Sequence, residues 1–67
     1  MRLEDFRIDV TRLTRQELSV LSKVSISTIQ RAEEGQPIRR LMKARILEGL
    51  SKHLGRQVNK DEIDEFQ

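Results

Sequence analysis

The 67-residue chain contains no cysteine, tryptophan or tyrosine, and Phe6 and Phe66 are its only aromatic residues. Because cysteine is absent, disulfide bonds and cysteine-ligated zinc sites are excluded. A single small domain of this kind depends on helix packing, helped by a dimer interface where one forms. No run of about 18 apolar residues is present, and residues 1–5 lack the pattern of a signal peptide. We therefore expect a cytoplasmic protein with no membrane partner.

Residues that support catalysis are also scarce. His53 is the single histidine, and there is no glycine-rich phosphate-binding loop. The acidic residues between 61 and 65 are neighbours in sequence and lack a fixed geometry for metal binding or acid–base chemistry. We expect no enzymatic activity, no cofactor and no small-molecule ligand, and we expect His53 at the surface or the edge of the core.

The formal net charge of +2 is distributed unevenly along the chain. Residues 10–58 contain ten Lys or Arg against four acidic residues, whereas residues 1–9 carry −1 and residues 59–67 carry −3. A basic centre between acidic ends suits a partner that bears phosphates. A solvated helical surface has a similar composition, so charge alone leaves both interpretations open.

Capping signals predict a first short helix from about Arg15 to Ser22. Thr14 and Glu17 form a Thr-x-x-Glu capping box. Leu13 and Leu18 flank the box as a hydrophobic staple, and Leu18 and Leu21 then share one face.

A second helix is predicted to begin after Ser25, which lies between the staple residues Val24 and Ile29. Ile29 and Ala32 mark its inner face, and Gly35 is expected to end it. Since so few residues separate the two helices, they are expected to cross steeply, as in a helix-turn-helix.

The rest of the chain predicts further helices. A long helix is expected over residues 38–54, with Gly49 at a close packing contact and Gly55 as its stop. Its apolar stripe comprises Leu41, Ala44, Leu47, Leu50 and Leu54, widened by Ile46. A short helix after Asn59, capped with Glu62, competes with a frayed acidic tail. At residues 2–10 a helical pattern (Leu3, Phe6, Val10) competes with a strand pattern (Phe6, Ile8, Val10), and a short helix is favoured.

Three segments in one unbroken register carry a family resemblance: residues 13–19 (LTRQELS), 24–29 (VSISTI) and 33–35 (EEG). They resemble the Cro/cI-type (XRE) helix-turn-helix DNA-binding family, whose pattern is L-T-Q-x-E-L-A, G-V-S-x-x-T-I and E-x-G. Arg15 stands where the family has Gln, Ser19 where it has Ala, and Lys23 where it has the turn Gly. Ser19 is small enough to keep the close helix crossing, whereas Lys23 has to adopt an unusual turn conformation.

The resemblance implies an all-α bundle of four to five helices over residues 1–67, with a helix-turn-helix core at about 14–34. It implies a transcriptional regulator, most often a repressor, that inserts the helix from about Ile26 to Glu33 into the major groove of double-stranded DNA. Base-reading positions carried over from the family are Ile26, Ser27, Gln30 and Arg31. Phosphate-binding positions are Thr14, Arg15, Gln16, Thr28, Arg39 and Arg40. Glu33 is expected to form an internal ion pair instead of touching DNA.

Two questions stay open from the sequence. Such a domain is expected to bind as a homodimer, in some cases only on DNA, and the apolar residues Leu54, Val58, Ile63 and Phe66 either form the dimer surface or close the core of the monomer. The alternative to DNA binding is a protein-interaction module of the same fold, such as an antitoxin or the partner of a regulator. Gln30 and Arg31 favour DNA because their side chains suit base edges.

Overall fold

The computed structural model describes residues 1–67 and is all-helical, with no strand. Helix α1 begins with an α-helical turn, Leu3–Asp5, and continues directly as a π-helical segment, Phe6–Thr11. Helices α2, α3 and α4 span Arg15–Ser22, Ile26–Glu33 and Arg40–Leu54. The count of four helices agrees with the lower end of the four to five expected. The short helix favoured at residues 2–10 is confirmed. The core contains Leu3, Phe6, Leu13, Leu18, Val24, Ile29, Ala32, Ile46, Leu50, Val58, Ile63 and Phe66.

The caps predicted for α2 are present. The Glu17 N–H donates to Thr14 Oγ1 (3.0 Å), and the Thr14 N–H donates to Glu17 Oε1 (2.9 Å). The helix ends at Lys23, which has a left-handed backbone (φ 58°). Ser19 Oγ donates to the carbonyl of Val24 (2.6 Å), so a serine at this position ties α2 to the turn that follows it.

The caps predicted for α3 are also present. The Thr28 N–H donates to Ser25 Oγ (3.2 Å) at the start of the helix. At its end, Gly35 adopts φ +77°, which places the Gln36 N–H on the Arg31 carbonyl (3.0 Å) and the Gly35 N–H on the Ala32 carbonyl (3.1 Å). This pair of bonds is a Schellman motif, and its left-handed residue is why glycine stands there.

Helix α4 begins two residues later than predicted, because residues up to Arg39 are extended (φ −64°, ψ 146° at Arg39). In this extended approach Ile38 is partly buried and packs against the core. The predicted stop is confirmed, since Gly55 is left-handed (φ +69°) and its N–H donates to the Ser51 carbonyl (2.9 Å).

The predicted apolar stripe of α4 is wrong at two positions. Leu41 and Ala44 are exposed, whereas Ile46, Gly49 and Leu50 form the buried face, with Met42, Leu47 and Leu54 packed beside them. Leu21, predicted to share the inner face of α2, is also exposed. The apolar stripes that periodicity predicts on α2 and α4 are therefore wider than the strips of these helices that the monomer buries.

The close contact predicted at Gly49 lies between α4 and the end of α2. A Cβ at position 49 would stand 3.0 Å from both Cα and Cβ of Ser22 and 3.1 Å from its N. At such distances a methyl group at position 49 would force the Ser22 backbone to move by a few tenths of an ångström, so glycine permits the close approach of α2 and α4.

The carboxyl-terminal segment is folded onto the body as two 3₁₀ turns, Lys60–Glu62 and Asp64–Phe66, in place of the short helix predicted after Asn59. Glu65 Oε1 accepts the Leu3 N–H (2.8 Å), so the segment caps the start of α1. The pKa of Glu62 is lowered by hydrogen bonds from the Arg56 guanidinium and then from the Asn59 N–H.

The apolar residues of this region close the monomer's own core. Val58, Ile63 and Phe66 are buried, and Leu54 is partly buried beside them. They are therefore not a free dimer surface, which decides between the two alternatives that the sequence left open. No helix in the chain has both the length and the apolar content to cross a membrane.

Candidate nucleic-acid interface

Helix α3 divides its residues cleanly between core and solvent. Its buried residues are Ile29, Ala32 and Glu33. The four predicted base-reading residues, Ile26, Ser27, Gln30 and Arg31, are all exposed. At 100° per residue they span about 140° of the helix surface, so they form one continuous outward face. Ile26 is 44% exposed although it is apolar.

Unpaired cations lie on α3 and at the start of α4: Arg31 and Arg39 line one depression, whereas Arg40 and Lys43 line another, with Lys60 and Phe66. Arg31, Arg39, Arg40 and Lys43 take part in none of the ion pairs of the chain. Arg7, Arg15 and Arg56, by contrast, are paired with carboxylates. The cations on the α3–α4 side are therefore available for anions that are not part of the protein.

A depression of about 540 Å³ joins α3 to the start of α4. It brings together three of the predicted contact residues, Thr28, Arg31 and Arg39. Its remaining lining is formed by Pro37, Ile38 and Met42, which the sequence had not indicated. Pro37 and Ile38 enter the site because the chain stays extended before α4, a feature that helix periodicity does not reveal.

The start of α4 presents unpaired backbone donors. Arg39 makes no side-chain cap, and its carbonyl accepts the N–H groups of Met42 (2.9 Å) and Lys43 (3.1 Å). The N–H groups of Arg40 and Leu41 have no backbone acceptor, and they lie at the positive end of the helix dipole. Arg39 and Arg40 carry their own charge at this same helix end.

The start of α2 exposes Thr14 and Gln16, two further predicted phosphate ligands. The Thr14 hydroxyl is occupied by the capping bond, so the residue offers only its remaining hydrogen-bonding capacity. The pKa of Glu17 is lowered, first by the hydrogen bond from the Thr14 backbone and then by that from the Thr14 side chain. A carboxylate thus stands next to the phosphate-binding positions of α2, unlike the start of α4.

Arg15 is held within the protein. Its Nε donates to Glu33 Oε1 (2.8 Å), and its Nη2 lies 3.5 Å from Glu4 Oε2. The hydrogen bond with Glu33 is the main cause of a raised Arg15 pKa, followed by the charge of Glu33. Among the predicted phosphate ligands, Arg15 is the one whose charge is already neutralised.

Glu33 forms the internal ion pair that the sequence predicted. Its side chain is 1% exposed and bridges Arg15 to Arg7, whose Nε donates to Glu33 Oε2 at 2.6 Å. Arg7 also donates to the Leu13 carbonyl (3.0 Å), so one guanidinium connects α1, the start of α2 and the end of α3. Arg7 was not singled out from the sequence, although a signal exists: it follows Leu3 by four residues on the buried face of α1.

His53 lies at the surface, as predicted, and its Nε2 lies 2.9 Å from the carbonyl oxygen of Thr11. Since a carbonyl only accepts, Nε2 is the donor in this bond. No group of three or more histidine or acidic side chains is arranged to hold a metal ion.

Comparison with known proteins gives no relative: no family model matches the chain, and no similar characterised protein or solved structure was found. The resemblance to the Cro/cI-type family therefore depends on the three motif segments alone.

Proposed function

We propose that the chain is a sequence-specific DNA-binding domain of the helix-turn-helix type that regulates transcription, as a repressor. In this proposal α2 and α3 form the helix-turn-helix, and α3 enters the major groove with its first residues against base edges. The connection from Lys23 to Ser25 is short enough for such a motif.

The observation that carries the proposal is the outward face of α3. All four predicted base-reading residues are exposed on it, and the three inward residues of the helix are buried. Arg31 suits a guanine edge, Gln30 an adenine edge, and Ile26 a thymine methyl group, while Ser27 can donate or accept.

The phosphate contacts follow from the free cations and the helix end. Arg39 and Arg40 combine unpaired charge with the free N–H groups at the start of α4, so they are the strongest phosphate ligands of the proposal. Thr28 lines the same depression as Arg31 and Arg39. Thr14 and Gln16 add contacts at the start of α2, where Arg15 contributes less because Glu33 and Glu4 neutralise it.

A homodimer on DNA belongs to the same proposal. One reading helix contacts a few base pairs, and at about 1–3 kcal/mol for each pair this discriminates too weakly within a genome. Two copies on half-sites about one helical turn apart supply the missing discrimination.

The test separates base reading from phosphate binding on a duplex selected from random sequences. Arg31→Ala is expected to weaken binding to the selected duplex by about tenfold to a hundredfold and to relax preference at one base pair. Arg39→Ala with Arg40→Ala is expected to weaken specific and non-specific binding alike and to lower the salt slope by about two units. Arg45→Ala, which removes an equally unpaired cation outside the predicted contacts, serves as the matched control.

Three results would contradict these assignments. An equal loss on random DNA would make Arg31 a phosphate contact. An unchanged salt slope would place Arg39 and Arg40 in solvent. Binding to another protein that is insensitive to salt, without DNA binding, would favour the protein-interaction module.

A further inference from the structure

Two leucines and one alanine that remain exposed in the monomer lie on one face. Leu21 of α2 lines the same depression as Leu41 and Ala44 of α4, next to Ser22, which contacts Gly49. Leu41 is 56% exposed and Leu21 is 37% exposed. We call this depression, of about 310 Å³, the α2–α4 groove.

The rim of the α2–α4 groove is basic. Lys23 and Arg45 line it, and neither takes part in an ion pair. The remaining charged residues of the lining, Glu48 and Lys52, neutralise each other (3.2 Å). Three apolar side chains together with two free cations are complementary to a partner that is apolar along one stripe and acidic beside it.

Neither a second copy of the groove nor the carboxyl-terminal segment of a second copy offers this chemistry. A two-fold contact through the groove itself would place Lys23 and Arg45 of both copies in one interface, whose only carboxylates, those of Glu48, are already paired with Lys52, so like charges oppose such an approach. The acidic carboxyl-terminal segment carries the right charge, but its apolar side chains, Val58, Ile63 and Phe66, are buried in its own core. It therefore has no apolar stripe to offer.

We propose that the α2–α4 groove docks an acidic amphipathic helix of a partner protein, with leucine-like side chains on Leu21, Leu41 and Ala44 and carboxylates on Lys23 and Arg45. This surface is separate from the outward face of α3, and the proposal does not depend on DNA binding.

Amide chemical shifts of the isotope-labelled protein test the proposal, with a synthetic helical peptide as the probe. The peptide carries leucines at three- and four-residue spacing flanked by glutamates, and its matched control has lysine in place of every glutamate. We expect the acidic peptide to produce saturable shifts at Leu21, Lys23, Leu41, Ala44 and Arg45, and the lysine peptide to bind at least about tenfold more weakly.

Two variants locate the effect. Leu41→Glu, at an exposed position that leaves the core intact, is expected to weaken the acidic peptide about tenfold or more, because it removes apolar contact and adds a like charge. Ile8→Glu makes the same change at a site of similar exposure (47%) on α1 and is expected to leave binding unchanged.

Four outcomes would overturn the proposal. They are equal binding of both peptides, shifts that do not saturate or that lie elsewhere, concentration-dependent shifts of the groove in the protein alone, which would indicate a second copy, and shifts of Lys23 and Arg45 caused by a DNA duplex, which would assign these two cations to phosphates.

Discussion

Replacing Glu33 by glutamine removes the charge at the centre of the α1–α2–α3 junction. The carboxylate is 1% exposed and lies on two guanidinium groups, of which Arg7 is 8% exposed. Removing one partner of a buried pair costs about 3–5 kcal/mol, because the remaining charge stays desolvated without compensation. A 67-residue domain has a free energy of unfolding of about 3–10 kcal/mol at typical values per residue. Glu33→Gln is therefore expected to remove a large share of the total stability.

Two further variants provide values of unfolding free energy with which the loss in Glu33→Gln can be compared. Arg15→Ala breaks a pair that is 38% exposed on the arginine side, so it is expected to lower the free energy of unfolding much less than Glu33→Gln. Arg7→Met with Glu33→Met removes the buried charges together, so it is expected to be more stable than Glu33→Gln alone. Recovery is partial, because the Leu13 carbonyl also loses its bond from Arg7.

Urea denaturation followed by far-ultraviolet circular dichroism measures these values, since the chain has no tryptophan for fluorescence. A Glu33→Gln variant within 1 kcal/mol of the parent, on the order of an exposed pair, would refute the reasoning. A double variant no more stable than the single one would refute it as well.

Three further predictions concern single contacts. Gly49→Ala is expected to lower the free energy of unfolding by about 1 kcal/mol, because the clash with Ser22 (3.0 Å) outweighs the gain in helix propensity, and a more stable variant would contradict this. Lys23→Gly is expected to raise the free energy of unfolding by about 0.5 kcal/mol, as relief of the left-handed strain exceeds the added chain entropy; an equal or lower denaturation midpoint would count against it. Because the pKa of Glu17 is lowered from 4.5 in the folded state, its contribution is present at neutral pH and is lost as the pH falls through the lowered value. Glu17→Gln is therefore expected to lose less stability than the parent between about pH 7 and pH 3, and equal losses would contradict the assignment.

Local signals in the sequence predicted the parts of the fold that depend on neighbouring residues. The capping box of Thr14 and Glu17, the Ser25 cap and the glycine stops at Gly35 and Gly55 all appear where they were expected. Each is a bond or a backbone conformation within a few residues, so the chain needs no tertiary information to specify it.

Features that depend on distant parts of the chain were predicted less well. Periodicity places Leu41 and Ala44 on an apolar stripe, but it does not say how far the neighbouring helices reach over that stripe. The carboxyl-terminal segment lies along α4 beside Leu47 and Ser51, whereas Leu41 remains 56% exposed. The extended approach of Ile38 to the core likewise depends on residues that are remote in sequence.

The candidate site shows the same division. The outward face of α3 could be predicted because Ile29 and Ala32 mark the inner face of the helix, and helical geometry then places the other face outward. The role of Arg15 could not, because its partners Glu33 and Glu4 lie 18 and 11 residues away in sequence. At position 15, where the Cro/cI-type pattern has glutamine, this chain has an arginine whose charge Glu33 and Glu4 neutralise.

Selection of bound sequences from a pool of random duplexes, followed by affinity measurement between about 50 and 200 mM salt, tests the central claim most directly. The account predicts enrichment of a near-palindromic sequence with half-sites about one helical turn apart. It also predicts binding to that sequence at least about a thousandfold tighter than to a scrambled duplex, with affinity falling steeply as salt is added. A pool that shows no enriched sequence, together with binding that does not change with salt, would contradict it.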